Sequence, residues 1–353
     1  MSDTIRKGIK IFLVITVITL LLLLIFTVSG DTWHSLKKME PVYFIYALIV
    51  LAIYYYFDAL KIKFLAKALD HDIPVMTGID IIISGIFLAA VTPFQTGGLP
   101  VQIFILKQKD VPYGEGSLLI FMRGVTGFFF YALALPLIFG LYGHVFSNLI
   151  VRNLVRYLLI IYGGGIGLMI FAIFAPDRII RLLYKIDIFL KRIKLLKSDK
   201  VINIIKWFES EVELFLSGLK LFFTKRKLYI CLSLILTFIS FIFFYSIALI
   251  ILLGLGIKPS NPIEIINLQF LHAFLVMFMP TPGASGISET LFATLFSSVV
   301  GKELLGIYAI LWRFFTFYIG AGIGAFITLK IINRSGKSYD EIRQEEEHIE
   351  KQD

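Results

Sequence analysis

Apolar stretches of about 18 residues or more recur along the whole chain, and that length is what the hydrocarbon thickness of a bilayer demands of a helix. The residues AVILMFWYC make up 58% of the sequence and DEKR only 17%, with a mean hydropathy of +0.85. A soluble domain has roughly 45–50% apolar and 25% charged residues, so a water-facing fold of this composition would precipitate. The expected fold class is an all-α polytopic membrane protein, with about six full transmembrane helices plus two re-entrant helical hairpins in an inverted repeat. The net charge of +9 belongs to basic residues beside apolar spans, so orientation in a membrane accounts for it and nucleic acid is not an expected partner. The single cysteine, Cys231, excludes a disulfide framework, and no HExxH pair is present among five scattered histidines.

Full spans are expected at Ile9–Ser29, Pro41–Phe57, Gly116–Leu141, Leu154–Ala175, Leu228–Leu253 and Leu304–Leu329. The first follows Arg6, Lys7 and Lys10 and lacks a small-residue cleavage site, so it reads as a retained helix. Two further stretches are interrupted: Ile79–Leu106 at Thr92-Pro93-Phe94-Gln95-Thr96-Gly97-Gly98, and Ile265–Val300 at Pro280-Thr281-Pro282-Gly283-Ala284-Ser285-Gly286. Proline removes a backbone donor and glycine loosens the chain, so each stretch predicts two half-helices around a non-helical tip. Such a tip is tolerated at membrane depth only where protein buries it or a wet cavity bathes it.

Between Asp177 and Lys227 there are 13 Lys and Arg against 6 Asp and Glu, which marks this segment as cytoplasmic. Threading that through the spans puts both termini in the cytoplasm of a cell whose plasma membrane holds the chain, provided each interrupted stretch returns to the side it entered from. Ile179, Leu183, Ile186, Leu190 and Ile193, then Ile204, Phe208, Val212, Phe215 and Leu219, recur at helical spacing and predict two amphipathic helices on the inner leaflet. The membrane domain is expected to cover residues 1–334, with repeats near 41–141 and 228–330 and the amphipathic segment at 176–227. A charged cytoplasmic tail fills 335–353.

The halves correspond in spacing. Pro93 precedes Arg123 by 30 positions and Pro282 precedes Arg313 by 31. Interrupted helices at matching places in inverted repeats point to a midplane binding site. Arg123 and Arg313 each sit in a span otherwise nearly free of charge, where an arginine costs roughly 2.5–3.5 kcal/mol and should face the interior with a partner. The planar fork suits a phosphate or a carboxylate. A structural pair is the competing reading, with Arg313 bound to Glu289 as an example.

Glu289 opens the outgoing half-helix of the second tip, where the helix dipole favours a carboxylate, and could serve there as a plain terminal charge or in a charge relay. Thr92, Pro93, Gln95, Thr96, Gly97 and Gly98 on the first tip, with Thr281, Pro282, Gly283, Ser285, Gly286 and Ser288 on the second, form the expected headgroup site, with the backbone N–H groups of Gln95, Thr96, Gly97, Gly98, Gly283, Ser285 and Gly286 turned toward an anion. Asp58 reads as interfacial, at the end of the second span. His272 and Gln269 read as partners of neighbouring backbone. No catalytic residue, metal site or cofactor is expected, and no GxxxxGK[ST] is present.

On these residues the chain resembles the flippase-like membrane family typified by the transmembrane half of lysylphosphatidylglycerol synthases, which includes stand-alone bacterial and archaeal proteins. The resemblance spans roughly positions 9 to 332. It rests on Thr92 to Gly98, on Pro280 to Glu289, which is similar to the family's Pro-x-Pro-Gly-Gly-x-Gly-x-x-Glu pattern, and on the arginines downstream. The first family motif usually continues with a glutamate or arginine, whereas Gly98-Leu99-Pro100-Val101-Gln102 is uncharged here. No soluble aminoacyl-transferase domain follows Ile332, so synthesis of lysyl-lipid is not expected of this chain.

The resemblance and the paired arginines together imply a flippase for an anionic phospholipid or polyprenyl-phosphate-type lipid. A secondary transporter of a small soluble anion, and an intramembrane enzyme acting on lipid phosphate, are the alternatives from other classes. Membrane lipids with anionic headgroups are the expected partners, with a homodimer left open.

Overall fold

The computed structural model describes residues 40–141, scattered positions between 153 and 167, and residues 199–333 except 278. The expected span Ile9–Ser29, the first amphipathic helix and the tail lie outside the described residues, as does most of Leu154–Ala175. Every described element is helical: α1 (Pro41–Lys67), α2 (Val75–Val91), α3 (Gly98–Lys107), α4 (Tyr113–Leu141), α5 (Asp199–Thr224), α6 (Lys227–Gly254), α7 (Pro262–Val276), α8 (Ile287–Phe296) and α9 (Lys302–Arg313). After α9 a single π-turn, Phe314–Tyr318, carries the helix on, so that Leu304–Asn333 forms one span.

Four helices are long and apolar enough to cross a membrane, namely Pro41–Lys67, Tyr113–Leu137, Lys227–Gly254 and Leu304–Asn333. Helices α2, α3, α7 and α8 have 17, 10, 15 and 10 residues, and the pairs α2–α3 and α7–α8 are each joined by one short 3₁₀ turn. One expectation needs correction. Helix α1 does not stop at Phe57 but runs ten residues further, through Asp58, Lys61 and Lys63. Its charges continue the helix because two of them, Asp58 and Lys61, bind each other.

The described chain falls into two compact units. The first comprises residues up to Tyr55, Ile79–Ile105 and Phe241 onward. Its core is aromatic: Phe292 stacks on Trp312 at 4.4 Å and on Phe296 at 4.3 Å, and the buried Tyr308 hydroxyl donates to the Ala248 carbonyl at 2.9 Å. The span that follows the π-turn lies directly on α2 at Gly324, where a Cβ would overlap the Ile83 carbonyl oxygen. Gly324→Leu is therefore expected to force the two helices apart and cost about 1–3 kcal/mol, the usual penalty of overpacking. A fall in the thermal unfolding midpoint of the detergent-solubilised protein checks it.

The second unit comprises Tyr56–Gly78 and Leu106–Ser240. Here α5 spends part of its apolar face on protein rather than on lipid. Leu216, Leu219 and Phe222 are buried, Phe215 meets Phe121 of α4 at 5.7 Å, and the Gly114 N–H donates to the Glu211 carboxylate at 2.6 Å. Trp207 and Phe208 remain exposed on the same helix. Part of the apolar face that periodicity assigns to this segment is thus covered by α4.

Candidate functional site

The two interrupted stretches build the same turn. At the first, Pro93–Gln95 forms a 3₁₀ turn with Phe94 at φ 53°, ψ 19° and Gln95 at φ 58°. At the second, Pro282–Ala284 does the same, with Gly283 at φ 55°, ψ 17° and Ala284 at φ 55°. Two consecutive left-handed residues after a Thr-Pro pair reverse the chain in both. For the non-glycine residues that conformation costs roughly 1–2 kcal/mol each, so surrounding contacts must hold it.

Those contacts include the other tip, since the Phe94 N–H donates to the Pro280 carbonyl at 3.3 Å. Gly283 sits at the meeting point, where a Cβ would lie 2.5 Å from the Phe317 ring and 3.0 Å from the Ala90 carbonyl oxygen. Within each tip the N–H groups are taken locally. Gly97 donates to the Thr92 hydroxyl at 2.8 Å, Gln95 to the Thr92 carbonyl at 3.2 Å and Ala284 to the Thr281 carbonyl at 2.8 Å. The Thr281 hydroxyl donates to the Ser285 carbonyl.

At the second tip the structure gathers Gly283, Gly286, Ser288, Glu289 and Arg313 around one ion pair. Arg313, almost wholly buried at the end of α9, directs its fork in several directions. Its Nε lies 3.1 Å from Glu289 Oε1, its Nη1 donates to the Ser288 hydroxyl at 3.2 Å, and its Nη2 donates to the Gly283 carbonyl. The Phe317 ring covers the guanidinium at 3.9 Å, and Tyr318 lines the groove beside it. The π-turn matters here, because an extra residue in the turn after Arg313 carries Phe317 and Tyr318 to the guanidinium.

Glu289 completes the arrangement from the other side. Its Oε2 accepts from the Gly286 N–H at 2.7 Å, so the carboxylate bridges the N-terminus of α8 and the guanidinium. A helix N-terminus and an arginine facing one point make an anion seat, and here the protein's own anion fills it.

The seat opens into a groove of about 560 Å³ between α8 and α9. Along α8 its wall is a row of hydroxyls, Thr290, Thr294 and Ser297, and along α9 it is formed by small or aliphatic residues such as Gly306 and Ala309. The sequence reading missed this row, although hydroxyls at i, i+4 and i+7 on an apolar helix are a visible signal.

Arg123 belongs to the second unit, and there its partner is Asp58. Arg123 Nη2 donates to Asp58 Oδ2 at 2.5 Å, while Lys61 Nζ lies 2.7 Å from Asp58 Oδ1. Asp58 is 1% exposed, a buried anion inside α1. Lys61, 2% exposed and one turn along the same helix, is a further buried charge that the sequence reading passed over. Asp58→Asn is expected to leave two cations facing each other and to cost about 3–5 kcal/mol, the usual effect of breaking a buried pair. An unchanged thermal unfolding midpoint in detergent would contradict that.

Among the described residues no cluster of His, Cys, Asp and Glu suits a metal ion. Residues 11–324 match the family described as the lysylphosphatidylglycerol synthase TM region. A UPF0104 membrane protein from Archaeoglobus fulgidus is 23% identical over 310 residues, covering 85% of this chain and 90% of that protein. No solved structure matches. The tip motifs, the paired arginines and this match across most of the chain agree: the protein is a membrane-embedded member of the lysylphosphatidylglycerol synthase TM region family.

Proposed function

We propose that the chain is a lipid flippase that moves an anionic phospholipid or polyprenyl-phosphate-type lipid between leaflets, the headgroup phosphate exchanging with Glu289 at Arg313. The observation that carries this reading is the carboxylate held between the Gly286 N–H and the Arg313 guanidinium at the end of a hydroxyl-lined groove. A phosphate offers the same acceptor chemistry as that carboxylate, with more oxygens, and Arg binds it bidentately. The groove lets the headgroup reach the seat while the acyl chains stay in lipid. In this reading α2–α3 and α7–α8 are re-entrant hairpins of an inverted repeat, their tips meeting within the membrane thickness where only protein or a wet cavity can satisfy them. Both termini face the cytoplasm of a plasma membrane, as the basic central segment directs.

The pair Arg123–Asp58 is the counterpart of Arg313–Glu289 in the second unit, a partly exposed arginine neutralised by a buried carboxylate. In this reading it offers a second phosphate contact within its own unit. Proteoliposomes carrying tail-labelled fluorescent phosphatidylglycerol test the whole proposal. Wild-type protein is expected to expose the inner-leaflet pool to external dithionite. No acceleration over protein-free vesicles, across a panel of anionic and polyprenyl-phosphate lipids, would remove the proposal, and uptake of free phosphate without lipid movement would replace it with soluble-anion transport.

A further inference from the structure

Behind the ion pair stands a histidine that the phosphate exchange leaves unused. His272, buried on α7, packs edge-on to Trp312 at 4.6 Å and to Phe292 at 5.7 Å. Its Nε2 lies 2.9 Å from the Ser288 carbonyl oxygen, which only accepts, so the neutral ring carries its proton there and leaves its lone pair on Nδ1. Among the described residues Nδ1 meets no hydrogen-bond partner. Gln269, three residues earlier and so on the same face of α7, is also buried with both amide atoms unmatched, and the Nε1 of Trp312 is unmatched as well. An aromatic core has no use for such groups, since each unmatched buried polar atom costs roughly 1–3 kcal/mol.

The histidine is wired to the anion seat. Ser288 meets its ring through both carbonyl and hydroxyl, at 2.9 and 3.3 Å, and the same hydroxyl accepts from Arg313 Nη1 at 3.2 Å. On the elements packed against the ring, the charged or titratable groups that reach its neighbours are Arg313 on α9, bound to Ser288, Glu289 on α8, paired with Arg313, and Tyr308 on α9, packed on Phe292. Glu264, on its own helix, lies two turns away.

We propose that His272 is a proton-binding site coupled to headgroup binding at Arg313, so that each lipid anion moves together with a proton. The inference rests on the headgroup reading above. Protonation forms only the Nδ1–H bond; the proton comes from water on one side of the membrane and returns to water on the other. An imidazolium one residue away from Arg313 adds a second positive charge beside the seat. It favours an arriving phosphate, and by reciprocity the phosphate favours the proton. A neutral His272 leaves Glu289 sufficient to neutralise the seat.

The test uses full-length protein in phosphatidylcholine vesicles doped with tail-labelled phosphatidylglycerol, with translocation followed from about pH 8 to about pH 5.5, where the buried ring takes up a proton only with the phosphate beside it. Wild type is expected to accelerate about tenfold on acidification, within the usual span of coupling between sites. His272→Gln keeps an N–H for the Ser288 carbonyl but cannot take up a proton, so its rate is expected to stay at the wild-type alkaline level with a flat pH profile. A wild type that translocates equally at both pH values, or an H272Q variant with the wild-type profile, would overturn the inference while leaving the headgroup reading intact. No translocation at any pH would overturn both. If H272Q fails to fold, trapped pyranine decides with wild type alone: proton movement accompanying phosphatidylglycerol supports the coupling, and lipid movement without it refutes the coupling.

Discussion

Arg313→Lys is expected to slow phosphatidylglycerol translocation by about 10- to 100-fold even though the charge is retained. The guanidinium serves Glu289, the Ser288 hydroxyl and the Gly283 carbonyl at once, from nitrogens fixed in one plane. An ammonium places its donors on one atom and cannot span these acceptors. Each charge-assisted bond lost removes roughly 1.5–3 kcal/mol, which is a factor of about 10 to 100. The tip is affected as well as the ligand, because the bond to Gly283 holds the residue at which the two turns meet. Arg313→Ala goes further: Glu289 is left without its cation and stability falls by about 3–5 kcal/mol. The lysine variant therefore carries the argument, with a monodisperse elution profile and a near-native unfolding midpoint as its controls. Translocation at the wild-type rate in R313K would mean that charge alone suffices and that the fork has no part.

Glu289→Gln is expected to act in the opposite sense on binding. The glutamine oxygen still accepts from the Gly286 N–H, so the start of α8 is preserved, but the internal anion that competes for Arg313 is gone. Phosphatidylglycerol should bind about tenfold more tightly, of the order of one lost ionic competitor, and leave correspondingly more slowly. Turnover then falls while affinity rises, a split that a helix-capping role does not produce. If Glu289 serves only to pair Arg313 structurally, E289Q loses about 3–5 kcal/mol of stability by leaving a buried cation unpaired, and phosphatidylglycerol affinity does not rise.

What the sequence revealed and what it concealed follow from how local each signal is. The tips were legible because Thr-Pro followed by small residues is a property of six or seven consecutive positions, and both turns indeed reverse through two left-handed residues. Arg313 and Glu289 could be linked because each is an isolated charge in an apolar stretch and needs a partner of opposite sign. The pairing of Asp58 with Arg123 was hidden because the partners lie 65 residues apart and no local pattern announces it. The spacing of Asp58 and Lys61, one turn apart in an apolar run, was the available clue. The π-turn after Arg313 had no legible signature: Phe314 to Tyr318 are ordinary helix residues in a membrane span, and nothing in them marks the extra residue. For α5, periodicity identified the apolar face but could not say whether lipid or α4 would cover it.

The central claim is that Arg313 receives a lipid phosphate in place of Glu289. Native mass spectrometry of the purified protein titrated with phosphatidylglycerol tests it most directly, with R313K and E289Q alongside. The expected result is a bound lipid on wild type, retained to higher collision energy in E289Q and lost in R313K. Equal lipid retention by all three proteins would contradict the claim.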